Sequence, residues 1–175
     1  MAQNLRAVPS QASDYKNASR RANQIVSEIG TLDFQGNTLP HSWFKTPLLR
    51  KVTKHGPKQY LLATLILGEV VYWYRPEERA DEETQETYYQ RRFVLDMFRT
   101  AYIQLARKFG VSKDQTIAAV DFLVKQGLLR REFRTIRGPH VPLSNVLFLE
   151  PVVGKVREIT RKLTKEELAG WGEDE

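Results

Sequence analysis

Val111-Ser112-Lys113-Asp114-Gln115-Thr116-Ile117-Ala118-Ala119-Val120-Asp121-Phe122-Leu123-Val124-Lys125-Gln126-Gly127-Leu128-Leu129 is the stretch that decides the fold. Residues set at ~100° intervals put Thr116, Ala119, Val120 and Leu123 on one core-facing stripe, with Ile117 and Val124 at its border. Ser112 is placed to cap this helix by accepting a hydrogen bond from the backbone near Gln115. Gly110 supplies the left-handed backbone of a tight turn before it, and Gly127 ends it.

Working outward, Ala101–Phe109 reads as a shorter helix leading into the Gly110-Val111-Ser112 turn. On the other side a basic strand, Leu128–Ile136, passes through a Gly/Pro turn into an apolar strand, Asn145–Leu149. Helix, tight turn, helix and β-hairpin together form the pattern of a winged helix-turn-helix. The expected class is mainly α with a small antiparallel sheet (α+β), with extra N- and C-terminal helices. The helix-turn-helix covers residues 100–127 and the wing residues 128–150.

The rest of the chain arranges itself around this unit. Met1–Ser13 is polar and small, and is expected to be disordered. Ser13 or Asp14 caps a helix through Ile29, with Ala18, Ala22, Ile25 and Ile29 at helical spacing. Pro40, Ser42 and Trp43 open a short helix through Lys51, and Lys54-His55-Gly56-Pro57 reads as a loop. Lys58–Tyr74 is the most hydrophobic helix, a buried scaffold ended by Pro76. Glu77–Glu86 is an acidic exposed loop. Thr87–Val94 is strand-like and is expected to give the third strand of the sheet. Val152–Leu163 reads as a basic helix, and Thr164-Lys165-Glu166-Glu167 as a capping box opening a last short turn. The folded domain is thus expected over residues 14–163, with a flexible acidic tail over 164–175.

Charge narrows the function. The 175 residues carry a formal charge of +6, which favours an acidic partner. There is no cysteine, so disulfides and thiolate metal sites are excluded. The three histidines, His41, His55 and His140, are scattered, and the six acids between Glu77 and Glu86 have no histidine partner, so no metal or other cofactor is expected. The longest apolar run, Tyr60–Tyr74, falls short of the roughly 20 residues that span a bilayer. The opening residues have no apolar signal core, and the expected location is cytoplasmic, away from membranes. No Walker loop, G-x-G-x-x-G or G-x-S-x-G occurs, so no catalytic role is expected.

Double-stranded DNA is therefore the expected partner. In the first turn of the second helix, Ser112, Lys113 and Gln115 suit a groove, and the helix N-terminus directs N–H groups and a positive dipole end to phosphate. Further along, the outward face offers Asp114, Ala118, Asp121 and Lys125 and none of the usual base-reading side chains. The wing carries Arg130, Arg131, Arg134 and Arg137, with His140 in its loop and Glu132 opposing them. Strand alternation puts Arg130 and Arg134 on one face and Arg131 with Phe133 on the other. An alternative use of the outward helix face, through Ala118 and Phe122, is to dock a protein partner. A homodimer through Ser13–Ile29 or Val152–Leu163 is a further expectation.

Leu39–Val152 also resembles a family of winged-helix proteins from plasmids, phages and integrated elements, similar in turn to the N-terminal domains of replication initiators and DnaD-type primosomal proteins. The matching pieces are Leu39-Pro40-His41-Ser42-Trp43, the aromatic run Ile66–Pro76, Tyr102-x-x-Leu105-Ala106-x-x-Phe109-Gly110-Val111-Ser112, Gly127-Leu128-Leu129-x-Arg131-Glu132-Phe133-Arg134 and Ser144-Asn145-Val146-x-Phe148-Leu149-Glu150-Pro151. The resemblance implies DNA binding without catalysis, in replication initiation or transcriptional regulation of a mobile element.

Overall fold

In a computed structural model, residues 6–7 and 12–170 are described, with side chains from residue 19 onward. The elements are β1 (Arg6–Ala7), α1 (Ala12–Gly30), β2 (Arg50–Thr53), β3 (Gly56–Gln59), α2 (Leu61–Tyr74), β4 (Glu77–Ala80), β5 (Thr87–Gln90), β6 (Phe98–Thr100), α3 (Tyr102–Phe109), α4 (Lys113–Lys125), β7 (Leu129–Ile136), β8 (Leu143–Pro151), α5 (Val153–Ile159) and α6 (Lys165–Ala169). Two single 3-10 turns, His41–Phe44 and Pro47–Leu49, precede β2. The class is α+β.

A helix apolar on nearly every side belongs in the middle of a fold, and α2 sits there. Its Ala63, Ile66, Leu67, Val70, Val71 and Tyr74 are buried, and α1, α4, β6 and β8 pack around it. It stops at Tyr74 because Arg75 precedes Pro76 and takes an extended conformation. Tyr74 closes the centre: its hydroxyl accepts from the Phe98 N–H at 3.1 Å and donates to the Leu149 carbonyl at 2.9 Å, tying α2 to two strands. Burial pushes that phenol far above its usual pKa.

The main sheet has the order β1-β7-β8-β6. β7 and β8 form a long antiparallel hairpin, β6 pairs antiparallel with β8, and β1 runs parallel to β7. One face of the hairpin, with Leu129, Leu147 and Leu149, joins the core beneath α2 and α4. The other face carries Arg130, Glu132, Arg134, Phe148 and Glu150, a consequence of strict alternation along both strands.

The helical pair forms as expected from its residues. Gly110 is left-handed at φ 66°, and Ser112 with Gln115 makes a complete capping box at the start of α4. Thr116, Ala119, Val120 and Leu123 are buried. The capping box at Thr164 also forms, and Glu167, held by Arg161 and by the Thr164 N–H, keeps its carboxyl at about 2.

Four expectations differ. The third sheet strand is β6, not Thr87–Val94: Phe98 and Thr100 turn inward and are buried, whereas every residue of β5 is exposed. The segment expected to be a wholly irregular acidic loop supplies β4, which pairs with β5 in a separate hairpin. Residues 50–59, expected as a helix end and a loop, form a hairpin with Gly56 at φ 92° in its turn, so α2 begins at Leu61 rather than Lys58. Finally, Arg6–Ala7 is paired and α1 starts at Ala12 inside the arm expected to be disordered, while the remainder of that arm and residues 171–175 of the tail lie outside the described residues.

The helices proposed as dimer surfaces are used within the chain. Ala22, Ile25, Val26 and Ile29 of α1 are buried, as are Val156 and Ile159 of α5. The Ser42 hydroxyl donates to the Ile159 carbonyl at 2.6 Å, and the Trp43 indole N–H donates to the Thr160 hydroxyl at 2.9 Å. These bonds fix α5 against the 3-10 turn.

Candidate nucleic-acid interface

The arginines of β7 are tied by acids of the same fold, and Arg134 is buried. Arg134 is 9% exposed. Its two terminal nitrogens donate to the Asp96 carboxylate at 2.6 and 3.0 Å, its Nε donates to Glu132 at 2.9 Å, and its guanidinium lies 4.4 Å over the Phe148 ring. Arg130 donates to Glu132 and, at 3.0 Å, to Glu150. Glu150, itself 2% exposed, also accepts from Arg21 of α1 at 2.6 Å. Arg21, Glu150, Arg130, Glu132, Arg134 and Asp96 thus alternate in sign along one face of the sheet, joining α1 at one end to the segment before β6 at the other.

Burial alone would lower the pKa of Arg130 and of Arg134. Their acid partners outweigh it, and both end above the ordinary arginine value. Burial is likewise the largest single influence on Glu132 and pushes its carboxyl up, but Arg134 and Arg130 together outweigh it and leave the carboxyl below the usual range.

Arg131 points to the opposite face, as alternation requires. It pairs with Asp121 of α4 and donates to the Tyr102 hydroxyl at 2.9 Å. This pair joins the hairpin to one flank of α4 and neutralises one of the two outward acids of that helix. Arg130 and Arg134 therefore lie across the sheet from α4, and they do not share a surface with Arg131.

The remaining site residues are divided in the same way. Lys113 and Asp114 are exposed in the first turn of α4. Ser112 and Gln115 are exposed but committed to the capping box: the Ser112 hydroxyl accepts from the Gln115 backbone N–H at 3.1 Å, and the Gln115 side-chain Oε1 accepts from the Ser112 backbone N–H at 2.9 Å. Arg137 and His140 are exposed at the hairpin tip, and neither has an ion pair among the described residues. Ala118 is exposed on α4. Phe122, expected beside it on an open face, is half-buried with its ring 5.0 Å from that of Tyr60, edge to face.

A groove of about 400 Å³ runs between the start of α3, the first turn of α4 and the β8 arm of the hairpin. Lys113, Arg99, Tyr102, Phe133 and Asn145 line it. Arg99 is exposed because it alternates with the inward Phe98 and Thr100 on β6. Its position was hidden in the sequence by the mistaken third strand. Lys51, Lys54 and Lys58 of the β2–β3 hairpin are further exposed cations, at positions expected as a helix end, a loop and a helix start.

Among the described residues no group of three or more His, Asp or Glu side chains is arranged to hold a metal ion. Among the described residues no helix is long and apolar enough to cross a membrane. No protein-family model, curated protein or solved structure matches the chain.

Proposed function

We propose that the chain is a winged helix-turn-helix protein that binds double-stranded DNA without catalysis. The observation that carries this reading is the connectivity β6–α3–turn–α4–β7–β8, which follows α2 after the separate β4–β5 hairpin, with strand order β7-β8-β6. It leaves the capped first turn of α4 and the tip of a basic hairpin open to one ligand. In this arrangement the second helix of the pair meets a groove and the hairpin meets the adjacent backbone.

The contacting cations differ from a simple reading of the arginine run. Arg134 and Arg130 serve the sheet, and Arg131 serves the joint between hairpin and α4. Phosphate contact passes to Lys113, Arg99, Arg137 and His140. With no Arg, Asn or Gln along the middle of α4 facing outward, base reading is confined to the first turn, and shape and phosphate contact dominate. A role in replication initiation or transcriptional regulation of a mobile element rests on the family resemblance of Leu39–Val152.

The test is fluorescence anisotropy with a labelled duplex and with the single strand of the same sequence. The reading expects duplex affinity of roughly 1–100 μM at physiological salt, tightening as salt falls. Equal or tighter binding to the single strand, or no duplex binding at low salt, contradicts it.

A further inference from the structure

We infer that the β2–β3 hairpin is a second phosphate-binding arm, which grips the nucleic-acid backbone on the other side of the outward strip of α4 from the β7–β8 hairpin. The inference rests on the duplex-binding reading above and adds a contact surface to it.

The first observation is an uncompensated charge pair. Lys51 and Lys58 stand directly opposite each other across the hairpin. Residues 50–59, R-K-V-T-K-H-G-P-K-Q, contain no acid. Like charges at directly opposed positions destabilise a hairpin. Among the described residues neither Lys51, Lys58 nor the turn residue Lys54 has an ion pair, and all three are exposed. Other exposed basic side chains have an acid beside them: Lys108 is held by Glu69 at 2.6 Å and Arg161 by Glu167 at 2.8 Å. A short two-stranded hairpin that keeps three unmatched lysines is suited to an external anion.

The second observation is placement. The Lys51 ammonium lies 4.9 Å over the Tyr60 ring, and Tyr60 packs against Phe122 of α4. The lysine-bearing face is therefore anchored to one flank of α4. The Asp121–Arg131 pair anchors the β7–β8 hairpin to the other flank. Along α4, Asp121 and Phe122 sit ~100° apart, so the outward strip containing Ala118 and Lys125 runs between the two hairpins. A helix with its side chains is about 10–12 Å across, close to the ~12 Å width of the major groove. Cations on both sides of that strip would face phosphates along both edges of one groove. A linear polyanion of regular charge spacing fits this arrangement, and duplex DNA is the occupant to which the inference commits.

The experiment uses the full chain and a labelled 20-base-pair duplex, with Kd measured by anisotropy across a salt series. Lys51→Gln/Lys58→Gln is expected to weaken duplex binding roughly tenfold or more at low salt and to reduce the slope of log K against log salt by about 1.8, two phosphate contacts. The melting temperature should hold or rise, since the opposed like charges are gone. Lys54→Gln alone should reduce the slope by about 0.9, which provides a second reading if the double variant is unstable. If the unaltered protein binds duplex and the variants bind with the same slope and affinity, the arm is overturned while duplex binding stands. If the unaltered protein fails to bind duplex, both are overturned. Displacement of the duplex by poly-glutamate at equal charge concentration would assign the arm to an acidic protein and overturn the duplex as its occupant.

Discussion

Arg134 and Asp96, 38 residues apart in sequence, meet through two parallel N–H···O contacts of 2.6 and 3.0 Å. The arginine side chain is 11% exposed. This pair fastens the segment before β6 to the middle of β7, and β6 completes the sheet beside the α3–turn–α4 unit. An arginine in the middle of a basic strand is thus a structural tie. The cations open to a ligand beside this unit include those at the hairpin tip, at the first turn of α4, on the neighbouring strand edge and on the β2–β3 hairpin.

Removing one partner of a buried ion pair leaves the other charge uncompensated, at a cost of about 3–5 kcal/mol. Arg134→Ala is expected to lose stability of that order in urea unfolding. Arg134→Met, which covers Phe148 but removes the charge, should still strand Asp96 and leave Glu132 with Arg130 alone. If either variant unfolds at the same urea concentration as the unaltered protein, the structural role assigned to Arg134 fails.

Tyr74→Phe removes only a hydroxyl, yet it strands the Phe98 N–H and the Leu149 carbonyl in the core. A buried polar group without a partner costs about 1–3 kcal/mol. Thermal unfolding should show that loss. Hydrogen exchange should show faster opening at Phe98, and unchanged exchange there would argue that α2 and β6 are held together by packing alone.

Glu132 gives the fold a sensitivity to acid. Its folded pKa is lowered by Arg134 and Arg130 against the opposing effect of burial. The stability it contributes is therefore fully present above the unfolded carboxylate value of about 4.3, and is lost as pH falls through the depressed folded value. Glu132→Gln should be less stable at neutral pH and should lose less further stability on acidification below pH ~4. A pH–stability curve for the variant parallel to that of the unaltered protein would remove Glu132 from the account.

The helical pair could be read directly from the residues because its signals are local. Gly110, the Ser112 cap and the period of Thr116, Ala119, Val120 and Leu123 all act within a few residues of one another. The ion chain on the sheet could not be read in this way. Arg134 meets Asp96 and Arg130 meets Glu150 only after strands from distant segments have paired, and charge alternation along β7 looks the same in a free basic strand. The strands β2, β3 and β4 escaped for a different reason: all are largely exposed, so no apolar period of two marks them, whereas β5 was legible as a strand within Thr87–Val94 and only its pairing was misplaced. β6 is three residues long, too short for a pattern beside the longer aromatic run of Thr87–Val94.

The central claim is that duplex binding uses the exposed tip cations and not the arginines tied into the sheet. The most direct measurement is the salt dependence of duplex affinity for the unaltered protein and for Lys113→Gln/Arg137→Gln. Two lost phosphate contacts should reduce the slope of log K against log salt by about 1.8, with no change in melting temperature. An unchanged slope and affinity in that variant, with duplex binding intact, would contradict the account.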